Sequence, residues 1–441
     1  MTTQWQHIIK THQADYTRIL AEEIGSVTSI LDQTLSLMSL AALTIIYTAL
    51  CFYLSPGLTV IAIILGFVLL LTTHPIQSLI SHLGEKHLVA TEKIFKLASD
   101  QIKGLKVIKS SGTEHRHNLH YAETVESLAT EELSYYRLTS LTQFLHSTIS
   151  ALAFCVLAYI AYEMMNQDIV TLMILALIFS RLMPQISRLR TYLQRTAYLE
   201  PSLNSVSALL HHLRSHQETG GVETTFDLSS GLHLENVCYQ YPDGDEMVLD
   251  NINGSLSTNQ LVALTGDSGI GKSTLADIIA GISLPTSGKI RIGDTILDEN
   301  NQRSWRQYVT YLPQVPFLIE STVRENLNLL LPADADDDQL NRAIDLAAAN
   351  FLHRLPQGLE TVIGDNGVTL SGGERQRLQL ARGLLEDRPV MILDETTGNL
   401  DLGTEDSIVA TLATLKARRL IIMISHRPSI SEFADQVFTL I

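Results

Sequence analysis

Residues 266–274 read Gly266-Asp267-Ser268-Gly269-Ile270-Gly271-Lys272-Ser273-Thr274 and fit the pattern GxxxxGK[ST]. Glycines let the backbone wrap closely around phosphate oxygens, and successive N–H groups with a helix N-terminus supply positive potential. A lysine at the position of Lys272 reaches the β and γ phosphates, and a hydroxyl at Ser273 ligates Mg²⁺. The chemistry is that of a nucleoside-triphosphate site. Asp394-Glu395 closes an apolar run, Val390-Met391-Ile392-Leu393. Asp394 is placed to complete the Mg²⁺ shell, and Glu395 to act as a base toward, or to polarise, a water attacking the γ phosphate.

Such groups need a strand, a tight loop and a helix in that order, and LVALT before the loop and STLADIIAGI after it supply them. Further short β-branched runs (YVTYL, VMILD, LIIMIS) alternate with helical stretches, so residues 232–441 read as an α/β domain with a largely parallel sheet. Residues 1–220 carry 15 Lys and Arg against 16 Asp and Glu; residues 221–441 carry 16 against 31. The acidic balance and the lack of a basic block exclude a nucleic-acid partner. Cys51, Cys155 and Cys238 are odd in number and lack CxxC spacing, which points to neither a disulfide framework nor a zinc site.

The remaining half is of another kind. Only 18% of the chain is charged and the mean hydropathy is +0.14, against about 25% charged in ordinary globular proteins. Uncharged or nearly uncharged runs predict an all-α membrane domain over 1–210, with spans at 35–54, 58–73, 138–162 and 169–186. Lys and Arg gather in the 75–137 segment and after the last span, placing both on the cytoplasmic side. That segment is either two helices extending beyond the bilayer and returning, or amphipathic helices on its surface. Residues 211–231 read as a polar linker whose histidines are solvated rather than metal-ligating. Arg181, inside the last span, either meets an anionic solute or snorkels to the interface. His146 reads as a packed residue, Pro184 as a kink, and the acidic run Ala333–Asp338 as the start of a solvated helix.

The sequence Leu370-Ser371-Gly372-Gly373-Glu374-Arg375-Gln376-Arg377 resembles the signature of ATP-binding cassette (ABC) proteins. Tyr241 sits where that family has an adenine-stacking aromatic, Gln314 in its glutamine loop, Asp401 in its D-loop and His426 as its switch histidine. The resemblance covers residues 232–441. It implies two cassettes closed head to tail on ATP and Mg²⁺. Each composite site would combine Tyr241, Gly266–Thr274, Gln314, Asp394, Glu395 and His426 of one copy with Ser371, Gly372 and Gly373 of the other. Glu395, His426 and Gln314 would be catalytic; Ser273, Gln314 and Asp394 would hold the metal.

Spans ahead of a cassette resemble the exporter branch. A coupling helix near Gln101–Ser111 and a sensing loop at Thr361–Gly367 are implied. The implied function is ATP-driven export of a hydrophobic or amphipathic solute (a small hydrophobic, lipid or peptide substrate) across a plasma membrane, the bacterial inner membrane, by a homo- or heterodimer. The family has six spans per chain where four are found here. Glu374 stands for the usual Gln, Asp365 for Glu, and Gly398-Asn399 vary the D-loop. The alternative function is a non-transporting remnant or regulatory ATPase subunit that binds ATP and pairs with a full-length partner.

Overall fold

The computed structural model describes residues 3–10, 13–54, 56–71, 74–164, 168–218, 221–242, 244, 246–364, 370–398, 401–425 and 428–440. They fall into two compact units, Ile9–Ser215 and a second that joins Met1–Ile8 to His216–Ile441.

The first unit is all helix: α1 Ile24–Leu54, α2 Pro56–Leu71, α3 His74–Lys103, α4 Leu105–Ser111, α5 Glu114–Tyr159 and α6 Ile169–Ser215. Apolar α1 tolerates hydroxyls because Thr28, Thr34, Thr44 and Thr48 each donate to the carbonyl four residues back. Pro56 opens α2, where a missing N–H is no loss. The expected spans fall on α1, α2, α5 and α6, with Thr72 and Thr73 outside the described residues. The third ends differently, since α5 stops at Tyr159 and a π-turn covers Ile160–Met164. By length and hydropathy alone, Ala14–Tyr53 and Glu114–Tyr159 pass as membrane-crossing helices among the described residues.

Between the second and third runs, α3 and α5 are long continuous helices, and short α4 lies between them. Gly104 and left-handed Gly112 (φ 65°) bracket α4, so the stretch expected as a coupling helix, Gln101–Ser111, is divided between the end of α3 and α4, and Leu105 and Val107 are exposed. α6 continues through Pro184 and Pro201 and on through His211–Ser215, where a linker was expected. The helix therefore takes in His211 and His212, while the His216 ring lies 3.6 Å from that of His7 at a tilt of 30°. α3 and α6 meet closely: a Cβ on Gly84 would lie 2.2 Å from the Tyr198 carbonyl oxygen.

In the second unit, strands β1 Leu232–Tyr239, β2 Leu249–Leu256 and β4 Ser287–Ile292 form an antiparallel sheet in the order β2-β1-β4, completed at its edge by Thr295–Ile296. Strands β3 Leu261–Thr265, β5 Val309–Leu312, β6 Val390–Asp394, β7 Leu420–Ile424 and β8 Gln436–Thr439 form a parallel sheet in the order β8-β3-β7-β6-β5. β3, β6 and β7 are near-continuous apolar runs because both faces of a parallel sheet are covered. One core cluster joins Leu275, Ile290, Trp305 and Ile422; the other joins Leu312, Ile344, Leu378 and Met391. Two helices carry the expected chemistry, α7 Lys272–Ile279 and α8 Gly372–Leu385. Buried Trp305 donates its indole N–H to the Ile279 carbonyl (2.7 Å), anchoring the far end of α7.

Candidate nucleotide site

The phosphate loop curls because three of its glycines take positive φ: Gly266 at 144°, Gly269 at 84° and Gly271 at 101°. At Gly271 a Cβ would also stand 2.9 Å from Leu249, so a larger residue would break both conformation and packing. The loop closes around its own lysine. Lys272 is buried, and its Nζ donates to the carbonyls of Gly266 (2.9 Å) and Asp267 (2.7 Å).

The fold brings the expected residues together in pairs. The Tyr241 hydroxyl lies 3.1 Å from Thr274 Oγ1, its half-exposed ring edge-on to Tyr239. Ser273 hydrogen-bonds the Asp394 carboxylate. Gln314 Nε2 donates to Glu395 Oε2 at 2.5 Å across 81 positions of sequence. Glu395 itself has φ 48°, a strained left-handed backbone for a non-glycine residue, immediately beyond the end of β6.

Ser371 and Asp401 make local caps. Ser371 starts α8 in a capping box: its N–H and hydroxyl both donate to Glu374 Oε2 (2.8 Å each), and the Glu374 N–H donates back to Ser371 Oγ (3.3 Å). The Ser371 N–H bond holds the Glu374 carboxyl below its ordinary range. Gly372 and Gly373 form the first turn of α8. Asp401 accepts from the N–H and hydroxyl of Thr404, capping Leu402–Leu415. Asp336 likewise caps the helix that begins in the acidic run. His426, Asn399 and the Asp365–Gly367 part of the sensing loop lie outside the described residues.

Two groups escaped the sequence reading. Tyr311 on β5 and Asp277 on α7 join the Asp394 carboxylate: the Tyr311 hydroxyl donates to Asp394 Oδ2 at 3.4 Å and also hydrogen-bonds Asp277. Burial pushes Asp277 up to about 6, with the Tyr311 hydroxyl opposing and the Asp394 charge adding. Asp394 is raised as well, chiefly by burial, while its bond from Ser273 opposes. The available signal was helical spacing, since Asp277 lies four residues beyond Ser273 and thus on its face of α7.

In the helical unit a cavity of about 260 Å³ is lined by His87, Glu132, Tyr135, Arg190, Gln194 and Tyr198 among others. The Tyr135 and Tyr198 rings stack at 4.1 Å, and Arg190 is 2% exposed. Arg181, singled out from sequence, is exposed, and His146 is buried with Nδ1 3.4 Å from Ser187 Oγ.

A family model described as ABC transporter matches residues 249–398, and one described as ABC transporter transmembrane region matches residues 10–187. The chain belongs to the ABC transporters. It is a membrane protein of the exporter type, with a helical transmembrane region followed by an ATPase cassette that binds ATP and couples its hydrolysis to transport. The ATP-dependent lipid A-core flippase of Haemophilus influenzae is 27% identical over 434 residues, 97% of this chain and 72% of the flippase. That of Escherichia coli K12 is 28% identical over 388 residues, 88% of this chain and 67% of the flippase. The solved structure of a bacterial Atm1-family ABC exporter with ATP bound superposes with a TM-score of 0.88 at 24% identity, covering 99% of this chain and 78% of that one, a likeness of fold.

Proposed function

We propose that this ABC exporter moves a lipid-like amphipathic solute outward across the bacterial inner membrane, working as a dimer with two composite ATP sites. The observation that carries the reading is the convergence of Gln314 on Glu395 and of Ser273 on Asp394 beside the phosphate loop. The Ser273 hydroxyl, the Asp394 carboxylate and the Gln314 amide form a set of hard oxygen donors that suits Mg²⁺. Bound there, the ion would neutralise charge on the phosphates.

The protein's own groups divide the remaining work. Lys272 and the loop N–H groups hold phosphates, Tyr241 packs the adenine, and Glu395 takes the proton of the attacking water with Gln314 fixing its carboxylate. His426, in its switch role, and Asp401 complete each site beside Ser371, Gly372 and Gly373 of the partner copy. The solute class is supported by the flippase relatives and by the cavity, where buried Arg190 offers a cation to a polar head beside the Tyr135–Tyr198 stack. The remnant alternative is not favoured, because both the membrane region and the cassette match their family models.

Purified chain in inner-membrane lipid vesicles tests the reading. ATP should drive movement of a fluorescent lipid between leaflets, and Glu395→Gln should stop it while ATP still binds. Lipid movement at the same rate with ATP as without it sinks the export reading; full turnover in Glu395→Gln sinks the catalytic assignment.

A further inference from the structure

Asp277 and Tyr311 have no role in the scheme above, yet their placement is specific. Tyr311 stands on β5 beside β6 in parallel register, Tyr311 opposite Ile392, two residues below Asp394. Ser273 and Asp277 are one helical turn apart on α7. The result is a continuous chain, Ser273 to Asp394 to Tyr311 to Asp277, drawn from three elements. A tyrosine needed only to fill space would not require its hydroxyl between two carboxylates. The hydroxyl donates its one proton to Asp394, and Asp277 faces the same hydroxyl, so Asp277 limits the orientation of Tyr311 and through it that of the Asp394 carboxylate.

The geometry points to Tyr311 and Asp277 as positioning residues that fix the Asp394 carboxylate for the nucleotide's divalent cation, Asp277 acting through Tyr311. This rests on the Mg²⁺ reading above. Outer partners of metal-ligating carboxylates are commonly worth about 10–100-fold in metal affinity.

The test uses the full chain in detergent with a non-hydrolysable ATP analogue, and Mn²⁺ affinity read by electron paramagnetic resonance. Tyr311→Phe keeps the ring and should weaken Mn²⁺ about tenfold, with affinity for the analogue in EDTA and the thermal midpoint unchanged. Asp277→Leu should weaken Mn²⁺ in the same direction, and the double variant should be no weaker than Tyr311→Phe, because the two residues act in series. Asp277→Asn, which keeps a partner for the hydroxyl, should recover most of the affinity. Mn²⁺ affinity in Tyr311→Phe equal to wild type, or additive losses in the double variant, overturns the proposal. Failure of the metal reading itself looks different: wild type and Asp394→Asn would then bind Mn²⁺ equally.

Discussion

Replacing Glu374 with glutamine should tighten ATP-driven closure of the cassettes. The Glu374 carboxylate holds both the N–H and the hydroxyl of Ser371 at 2.8 Å, and these are the donors that the proposed sandwich directs at the γ phosphate of the partner's ATP. An anion oxygen bonded to that hydroxyl would stand within about 5 Å of the carboxylate, where two unit charges repel by about 1 kcal/mol even in bulk water. Removing the charge should therefore raise ATP affinity in the closed state by about fivefold. Glutamine retains the reciprocal cap, so α8 should lose little stability. Occlusion of radiolabelled ATP by filtration, in a Glu395→Gln background that prevents turnover, measures the effect. The gain should shrink at high salt, because the site is partly exposed. An unchanged or weaker affinity in Glu374→Gln refutes the reasoning, and so does a gain independent of salt.

Other outcomes follow from single residues. Glu395→Gln should lower ATP turnover by about 10²-fold or more while nucleotide binding persists, as measured by phosphate release and filtration. Gly84→Ala should destabilise the helical unit, because its Cβ would fall 2.2 Å from the Tyr198 carbonyl; a thermal midpoint equal to wild type counts against that packing. Asp277 titrates near 6 in the folded chain against an ordinary 3.8, so its contribution to stability is complete below about 3.8 and is lost as pH rises through about 6. The midpoint of wild type measured against Asp277→Asn should thus fall between about pH 4 and 6 and level off above that, and a flat difference would contradict the burial of Asp277.

Local sequence decides those features whose physics is local. Gly266, Gly269 and Gly271 identify a phosphate loop because only that backbone freedom permits the curl, and the apolar run before Asp394 identifies a buried parallel strand. Glu374 at the third position after Ser371 specifies a helix cap by spacing alone. Uncharged stretches of span length announce the membrane domain. The Gln314–Glu395 and Tyr311–Asp394 contacts, by contrast, join residues more than 80 positions apart. They exist because β5 and β6 lie side by side in one sheet, an adjacency that no periodicity encodes. Arg190 reads in sequence as one more cytoplasmic cation; packing of α3, α5 and α6 buries it in a cavity, while exposed Arg181 has the more suggestive sequence context. Residue types and spacing determine which chemistry is available to this protein. Tertiary structure decides which groups meet and how far water is excluded from them, because contact and burial depend on the packing of strands and helices distant in the chain.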